Sequence, residues 1–198
     1  MRFIVKILVL SGSRNPQGKT ALAIDSVRKG ITAACGESEC LFLPELNLER
    51  CRQCEADGWG LCRKEGRCII EDDFPSLLEK IKASDVVVFA NSVYFGDLTE
   101  SMRGFLDRLR RIRFMRKEPG IPQGIPAIGL CYAGGSGNGA PNCCASLDRI
   151  LQICGFDVVD MVPLRRQNLE VKLPALEIIG KWLVTKPTSG QRLISPVR

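Results

Sequence analysis

The chain contains no histidine among its 198 residues. Without imidazole there is no Ser-His-Asp triad, no Cys-His nucleophile pair and almost none of the common catalytic zinc sites. Demanding chemistry must then be carried by a cofactor. Aromatic residues are also scarce, at 6%, and the 28 basic and 22 acidic residues are mixed along the chain. The net charge of +6 therefore lacks the basic tail and interleaved aromatics of a nucleic-acid binder, so no nucleic-acid partner is expected. Long apolar spans are missing as well. The run from Phe3 to Leu10 is interrupted by Lys6, with no small-residue cleavage site behind it, so no membrane partner is expected and the reading is a soluble, cytoplasmic protein. Internal repeats and low-complexity linkers are absent too.

Cysteine, by contrast, is abundant. Ten cysteines without a secretion signal imply a reducing compartment, where thiols serve metals, redox chemistry or the core. Four of them follow the spacing Cys51-x2-Cys54-x7-Cys62-x5-Cys68, in a stretch with neither helical nor alternating period. Cys35, Cys40, Cys131, Cys143, Cys144 and Cys154 read as small hydrophobes in or near the core; the neighbours Cys143 and Cys144 are the pair with scope for reactivity.

At 198 residues and 45% hydrophobic content the chain suffices for one substantial core. The division expected is one domain over residues 1–184, a cysteine-rich insertion at 45–72 and an extended tail at 185–198. Five apolar runs alternate with helical patterns. Strands are expected at Phe3–Leu10, Leu41–Leu43, Val86–Ala90, Ala127–Leu130 and Val158–Val162. Helices are expected at Thr20–Ala34, from Phe74 through Ile81, around Met102–Ile112, at Pro141–Gly155 and at Pro174–Val184. Such alternation implies a parallel sheet of five strands between two helical layers, with right-handed crossovers. Loops leaving the C-terminal ends of the strands then share one crevice.

The first of these loops, Ser11-Gly12-Ser13-Arg14-Asn15-Pro16-Gln17-Gly18-Lys19-Thr20, suits an anion. Small residues let the backbone approach a ligand, the helix that follows presents unpaired N–H groups, and Arg14 and Lys19 add positive charge. Phosphate is the natural guess. A nucleotide-triphosphate P-loop fails at its first glycine, because Gly12 stands one residue too far from Gly18-Lys19-Thr20 and Ser13 occupies the required place. Asn91 likewise stands where such an enzyme needs a metal-binding acid. The loops after the third and fourth strands, Asn91-Ser92-Val93-Tyr94-Phe95-Gly96-Asp97 and Ala133-Gly134-Gly135-Ser136-Gly137-Asn138-Gly139, are also rich in Gly, Ser and Asn.

Taken in order, Gly12-Ser13 through Thr20, the Cys51–Asp73 segment, Val93-Tyr94-Phe95-Gly96 and Gly134-Gly135 resemble the flavodoxin-like NAD(P)H-dependent FMN reductases, in particular their iron-sulfur flavoprotein branch. The resemblance runs from Phe3 to about Leu164. It implies an α/β, flavodoxin-like three-layer sandwich and an FMN-dependent oxidoreductase. The FMN phosphate would fall to Ser13, Arg14, Gly18, Lys19 and Thr20, with Ser11 beside them. Ser92, Val93, Tyr94, Phe95 and Gly96 would lie along the isoalloxazine ring. Ala133, Gly134, Gly135, Ser136 and Gly139 would reach its pyrimidine end, where backbone N–H groups can stabilise the negative charge of reduction. The family often has Pro at the position of Ser92 and Asn at that of Lys19. A plainer alternative for Tyr94 and Phe95 is packing under the sheet edge.

The resemblance also implies NAD(P)H or a redox protein as electron source, a homodimer or homotetramer, and a [4Fe-4S] cluster held by Cys51, Cys54, Cys62 and Cys68. The branch spaces its second and third cysteines two residues apart; here five more intervene. Three readings therefore stay open: a four-iron cluster, a structural zinc, or uncoordinated thiols. The basic run Arg108, Arg110, Arg111, Arg113, Arg116 and Lys117 reads as a solvated helix face, with docking of an acidic partner as its sharper alternative. Two other functions remain beside the flavin reading, a P-loop-like phosphotransferase and a zinc-stabilised, non-enzymatic interaction module.

Overall fold

A strand covered on both faces must be apolar on both, and Lys6–Ser11 (β1) is: Ile7 and Val9 enter one helical layer, Leu8 and Leu10 the other. The computed structural model describes residues 4–113 and 124–185. Arg116, Lys117 and the tail from residue 186 onward lie outside them.

After β1 come α1 (Lys19–Ala33), β2 (Glu37–Phe42), a short turn of 3-10 helix (Leu43–Glu45), α2 (Leu61–Lys64) and α3 (Phe74–Lys82). They are followed by β3 (Val86–Ser92), α4 (Glu100–Arg113), β4 (Pro126–Ala133), α5 (Ala140–Ile153), β5 (Asp157–Arg165) and α6 (Leu169–Thr185). All strand pairs are parallel, in the order β2-β1-β3-β4-β5. The order reverses between β1 and β3, which opens a crevice at the C-terminal ends of those strands.

Helices α1 and α6 cover one face through Ile24, Val27, Ile31, Leu176 and Leu183. The other face receives Phe74, Leu77 and Ile81 from α3, Met102, Phe105 and Leu109 from α4, and Leu147 and Leu151 from α5. Each such side chain, taken fully out of water, contributes roughly 1.5–3 kcal/mol. The expected three-layer sandwich is therefore the observed one, and among the described residues no helix is long and apolar enough to cross a membrane.

Several boundaries differ from those the sequence predicts, each for a visible reason. Strand β2 runs Glu37–Phe42 rather than only 41–43, because it is the sheet edge and leaves Glu37 and Glu39 on a partly open face. Helix α6 begins at Leu169, upstream of Pro174, which was expected to open it. Asn168 opens the helix instead, its carbonyl accepting the Lys172 N–H at 3.1 Å. The hydrogen bond that Pro174 cannot make would have gone to the carbonyl of Glu170, an exposed residue at the helix start. Cys131, Cys143, Cys144 and Cys154 are buried as expected, but Cys35 is exposed and Cys40 half-buried. Cys35 sits in the left-handed turn just past α1, with φ of 64°.

Candidate functional site

Loop one is tied down first by its own backbone. Gly12 N–H donates to the Ala90 carbonyl of β3 at 2.8 Å. Ser13 N–H then donates to Ser11 Oγ and Asn15 N–H to Ser13 Oγ, each at 3.2 Å. This curl brings Gly18 to the start of α1, where no side chain caps the helix. The first-turn N–H groups are thus left to the crevice that Gly18, Lys19 and Thr20 line.

The second loop hangs from Asn91, fully buried at the end of β3. Its Oδ1 accepts both the N–H and the hydroxyl of Thr99, at 3.1 and 3.0 Å, while Nδ2 donates to the Ser92 carbonyl and to Cys143 Sγ. Beyond it Tyr94 and Asp97 exchange backbone hydrogen bonds around Phe95 and Gly96, both in left-handed conformation at φ of 50° and 80°. Such a turn is easy for Gly and strained for Phe. Tyr94 is 57% and Phe95 108% exposed, so neither packs under the sheet edge. Asp97 braces the turn by accepting from Arg103 Nη2 at 2.9 and 2.7 Å and from Leu98 N–H. Burial pushes its carboxyl up, but the Leu98 N–H and Arg103 outweigh it and hold the group below the usual carboxylate range.

Loop three meets loop two backbone to backbone. A Cβ on Gly139, whose φ is +84°, would stand 2.6 Å from the Gly96 Cα, so the close approach requires glycine. Behind the loop, Gln167 Nε2 donates to the Ser136 carbonyl at 2.8 Å. Gln167 was not foreseen, since nothing in the sequence links it to a loop thirty residues earlier.

All three loops line a single crevice of about 700 Å³, within the size range of cofactor sites. Its walls bring together Ser13, Arg14, Gly18, Lys19 and Thr20, then Ser92, Val93, Tyr94, Phe95 and Gly96, then Ala133, Gly134, Gly135, Ser136 and Gly139. Thr20 and Ser92 hydroxyls hydrogen-bond across it at 2.9 Å. Ser11 is different: it is fully buried beneath loop one and supports Ser13 rather than lining the crevice. Asn15, Tyr132 and Asn138 line it too. Tyr132 stands outside the expected set, although its place one residue before Ala133 at a strand end is the signal.

The cysteine segment is built otherwise. Its two ends are stitched together, Asn47 N–H to Asp73 Oδ2 at 2.7 Å and Glu49 N–H to Asp72 Oδ2 at 2.8 Å. Arg108 of α4, expected on a solvated face, is instead 2% exposed and forked onto both oxygens of fully buried Asp72. It also donates to the Glu49 carbonyl at 3.0 Å and to Cys68 Sγ at 3.4 Å, and lies 4.2 Å from the centre of the Phe74 ring. Burial pushes the Asp72 carboxyl up; Arg108 and the N–H groups of Glu49 and Phe74 prevail and hold it low.

Within the segment, Glu55 N–H donates to the Trp59 carbonyl at 2.8 Å and Gly58 N–H to the Glu55 carbonyl at 2.7 Å. Residues 55–59 thus form a closed excursion whose ends meet. A Cβ on Gly60 would lie 3.1 Å from the Cys54 Cβ, so the chain resumes beside Cys54 and only Gly60 and Leu61 separate it from Cys62. The excursion rests on α4: Arg111 donates to the Gly58 carbonyl and stacks 4.8 Å from the Trp59 ring, with Arg63 at 5.6 Å.

Cys51, Cys54, Cys62 and Cys68 all line one narrow cavity of about 20 Å³ with Arg108 and Arg111, and the sulfurs would have to open around an occupant. Among the described residues no three metal-ligating side chains converge on one ion position. Four thiolates around zinc stand roughly 3.8 Å apart, so the arrangement is not preformed for a single small ion. The Nε atoms of Arg108 and Arg111 are buried without a hydrogen-bond partner among the described residues, and a polyanionic sulfur centre would supply acceptors. On these grounds the residues fit such a group.

A doubly wound five-stranded parallel sheet with three polar loops at one rim defines a flavodoxin-like protein. The chain is similar to solved structures of that fold, including a flavone reductase (TM-score 0.71, 16% identity, 92% of this chain and 63% of that one) and an NAD(P)H:quinone oxidoreductase from Methanothermobacter marburgensis (TM-score 0.65, 18% identity, 91% and 96%). The family of NADPH-dependent FMN reductases matches residues 5–168, and the chain belongs to it. An iron-sulfur flavoprotein of Methanocaldococcus jannaschii is 31% identical over 134 residues, which cover 66% of this chain and 65% of that protein. Across the curated relatives it matches, the aligned part spans between 46% and 65% of their length.

Proposed function

We propose that the protein is an FMN-dependent oxidoreductase that takes electrons from NAD(P)H or a reduced protein donor and carries a [4Fe-4S] centre on Cys51, Cys54, Cys62 and Cys68. The observation that carries the flavin part is the convergence of three separate loops on one crevice. When bound, FMN supplies hydride chemistry that none of the side chains present could perform.

The chain's own residues do the rest. Ser13, Thr20, Lys19 and the uncapped start of α1 bind the phosphate by hydroxyl, charge and N–H groups. Tyr94 and Phe95, held out by the strained turn, offer aromatic faces to a planar ring system. The uncapped N-terminus of α5 after Gly139 places positive backbone potential at the far end of the crevice. No histidine is needed for any of these roles.

Support for the metal part comes from the relatives named iron-sulfur flavoprotein and from the closed excursion at 55–59, which returns Cys62 to the spatial neighbourhood that the shorter spacing would give it. We further propose a homo-oligomer, the assembly that the resemblance to the iron-sulfur flavoprotein branch implies. An anaerobic visible spectrum with an iron assay tests the whole. Flavin bands plus a broad sulfur-to-iron shoulder are expected; colourless protein that refuses added FMN overturns the proposal, and flavin bands without iron overturn its metal half.

A further inference from the structure

We infer that Arg108 and Arg111 are the residues that set the reduction potential of the four-cysteine centre, by donating N–H groups to its sulfurs from the α4 wall of the cavity. This rests on the proposal that the cysteines hold an iron-sulfur cluster, and it concerns side chains outside the ligand set.

The two arginines occupy unlike positions. Arg108 is neutralised by Asp72 and still directs Nη2 at Cys68 Sγ, 3.4 Å away. Arg111 has no carboxylate partner among the described residues: its contacts are the Gly58 carbonyl and the Trp59 ring. Both line the four-cysteine cavity, and both keep a buried Nε–H without an acceptor among the described residues. For Arg111, a guanidinium brought to a half-buried wall without a carboxylate is costly unless another anion stands beside it. Four thiolates and their cluster are such an anion.

An added electron raises the negative charge of the centre, and donors to its sulfurs favour the form that carries more charge. The arginines therefore stabilise the reduced cluster over the oxidised one. Arg108 also fixes where Cys68 stands, through its fork on Asp72. Arg111 does not; its effect is electrostatic, and the excursion it supports contains no ligand. The separation makes Arg111 the cleaner probe.

The test uses the full chain loaded anaerobically with ferrous iron and sulfide, comparing wild type, Arg111→Gln, Arg111→Lys and Arg108→Lys. Iron and sulfide per chain, flavin content and thermal melting are measured on each, and potentials are read by redox titration followed by electron paramagnetic resonance. Loss of one charge-assisted donor is expected to lower the equilibrium constant for one-electron reduction roughly tenfold in Arg111→Gln, a shift of about 59 mV toward more negative potential. Arg111→Lys should recover part of it by keeping the charge. Arg108→Lys should shift in the same direction with its flavin content unchanged. Loaded variants that titrate at the wild-type potential would overturn the inference alone. A wild type that takes up neither iron nor sulfide would overturn the cluster reading and the inference together.

Discussion

The three-loop crevice and the cysteine cavity lie on one molecule but are made by opposite means. The crevice is a product of topology: three loops leave the same rim of the sheet, and backbone groups with a few hydroxyls complete it. The cysteine cavity is formed by an irregular segment anchored to α4 by side chains from outside it, chiefly Arg108 and Arg111. Helix α4 touches both regions, since Arg103 near its start braces the second loop of the crevice through Asp97. The lesson is that a site built from backbone tolerates most changes outside its glycines and hydroxyls, whereas a site built from ion pairs depends on single distant residues.

The sharpest way to separate the two is Ser13→Asp. A carboxylate replacing the buried hydroxyl would face the phosphate at contact distance, a repulsion of about 4 kcal/mol at an intermediate effective dielectric. FMN affinity should fall roughly a thousandfold, while iron content stays at the wild-type level. Fluorescence titration with FMN and an iron assay on the same sample check both halves. Wild-type FMN affinity would mean that the phosphate sits elsewhere.

Arg108→Met attacks the other region. Removing one member of a buried ion pair costs roughly 3–5 kcal/mol, and the lower end applies here because Asp72 keeps the N–H donors of Glu49 and Phe74. Denaturant unfolding should register that loss, and limited proteolysis should cut within residues 46–72 before any cut in the sheet. The same pair gives the protein an acid limit. Asp72 titrates below its unfolded value of about 3.9, so its contribution is complete above about pH 4 and disappears as pH falls through the lower folded value. In wild type, protease sensitivity at 46–72 should therefore appear on acidification below pH 4; in Arg108→Met it should already be present at neutral pH.

These two substitutions also mark what the sequence could disclose. The crevice is legible in the sequence because apolar runs and small polar loops alternate, a pattern that brings loops distant in the chain to one rim. Ser11 was assigned too generously: at the last position of a strand its side chain supports the loop from below. Arg108 departs from the expected solvated face, an expectation that rests on six basic residues falling within positions 108–117. Yet Arg108 lies three residues after Phe105 and four before Ile112, within the buried stripe of α4, and that phase was the available signal. Its partner Asp72 could not be found in the same way, because no local rule connects residues thirty-six apart across an irregular segment.

Deleting residues 55–59 sharpens the comparison further, since the excursion closes on itself and contributes no cysteine. The stacking of Trp59 between Arg63 and Arg111 would be lost, about 1 kcal/mol for partly exposed contacts, with Cys54 and Cys62 left close. Iron and sulfide per chain should match wild type after anaerobic loading. Loss of iron from a deletion variant that melts within a few degrees of wild type would show that the five residues shape the ligand set.

The smallest effect belongs to the crevice, where the one strained backbone position carries the most exposed aromatic. Phe95 pays for a left-handed conformation that the Tyr94–Asp97 turn imposes, on the order of 1 kcal/mol. Phe95→Asn places the favoured Asn-Gly pair in that turn, so the apoprotein should gain about 0.5–1 kcal/mol in denaturant unfolding. If the exposed ring is there to meet a planar ligand, the same variant should hold FMN several-fold more weakly, since a ring–ring contact of this kind contributes about 0.5–1.5 kcal/mol. Greater stability joined to weaker FMN binding would identify the strain as retained for the ligand; greater stability with unchanged binding would assign Phe95 to some other surface than the flavin.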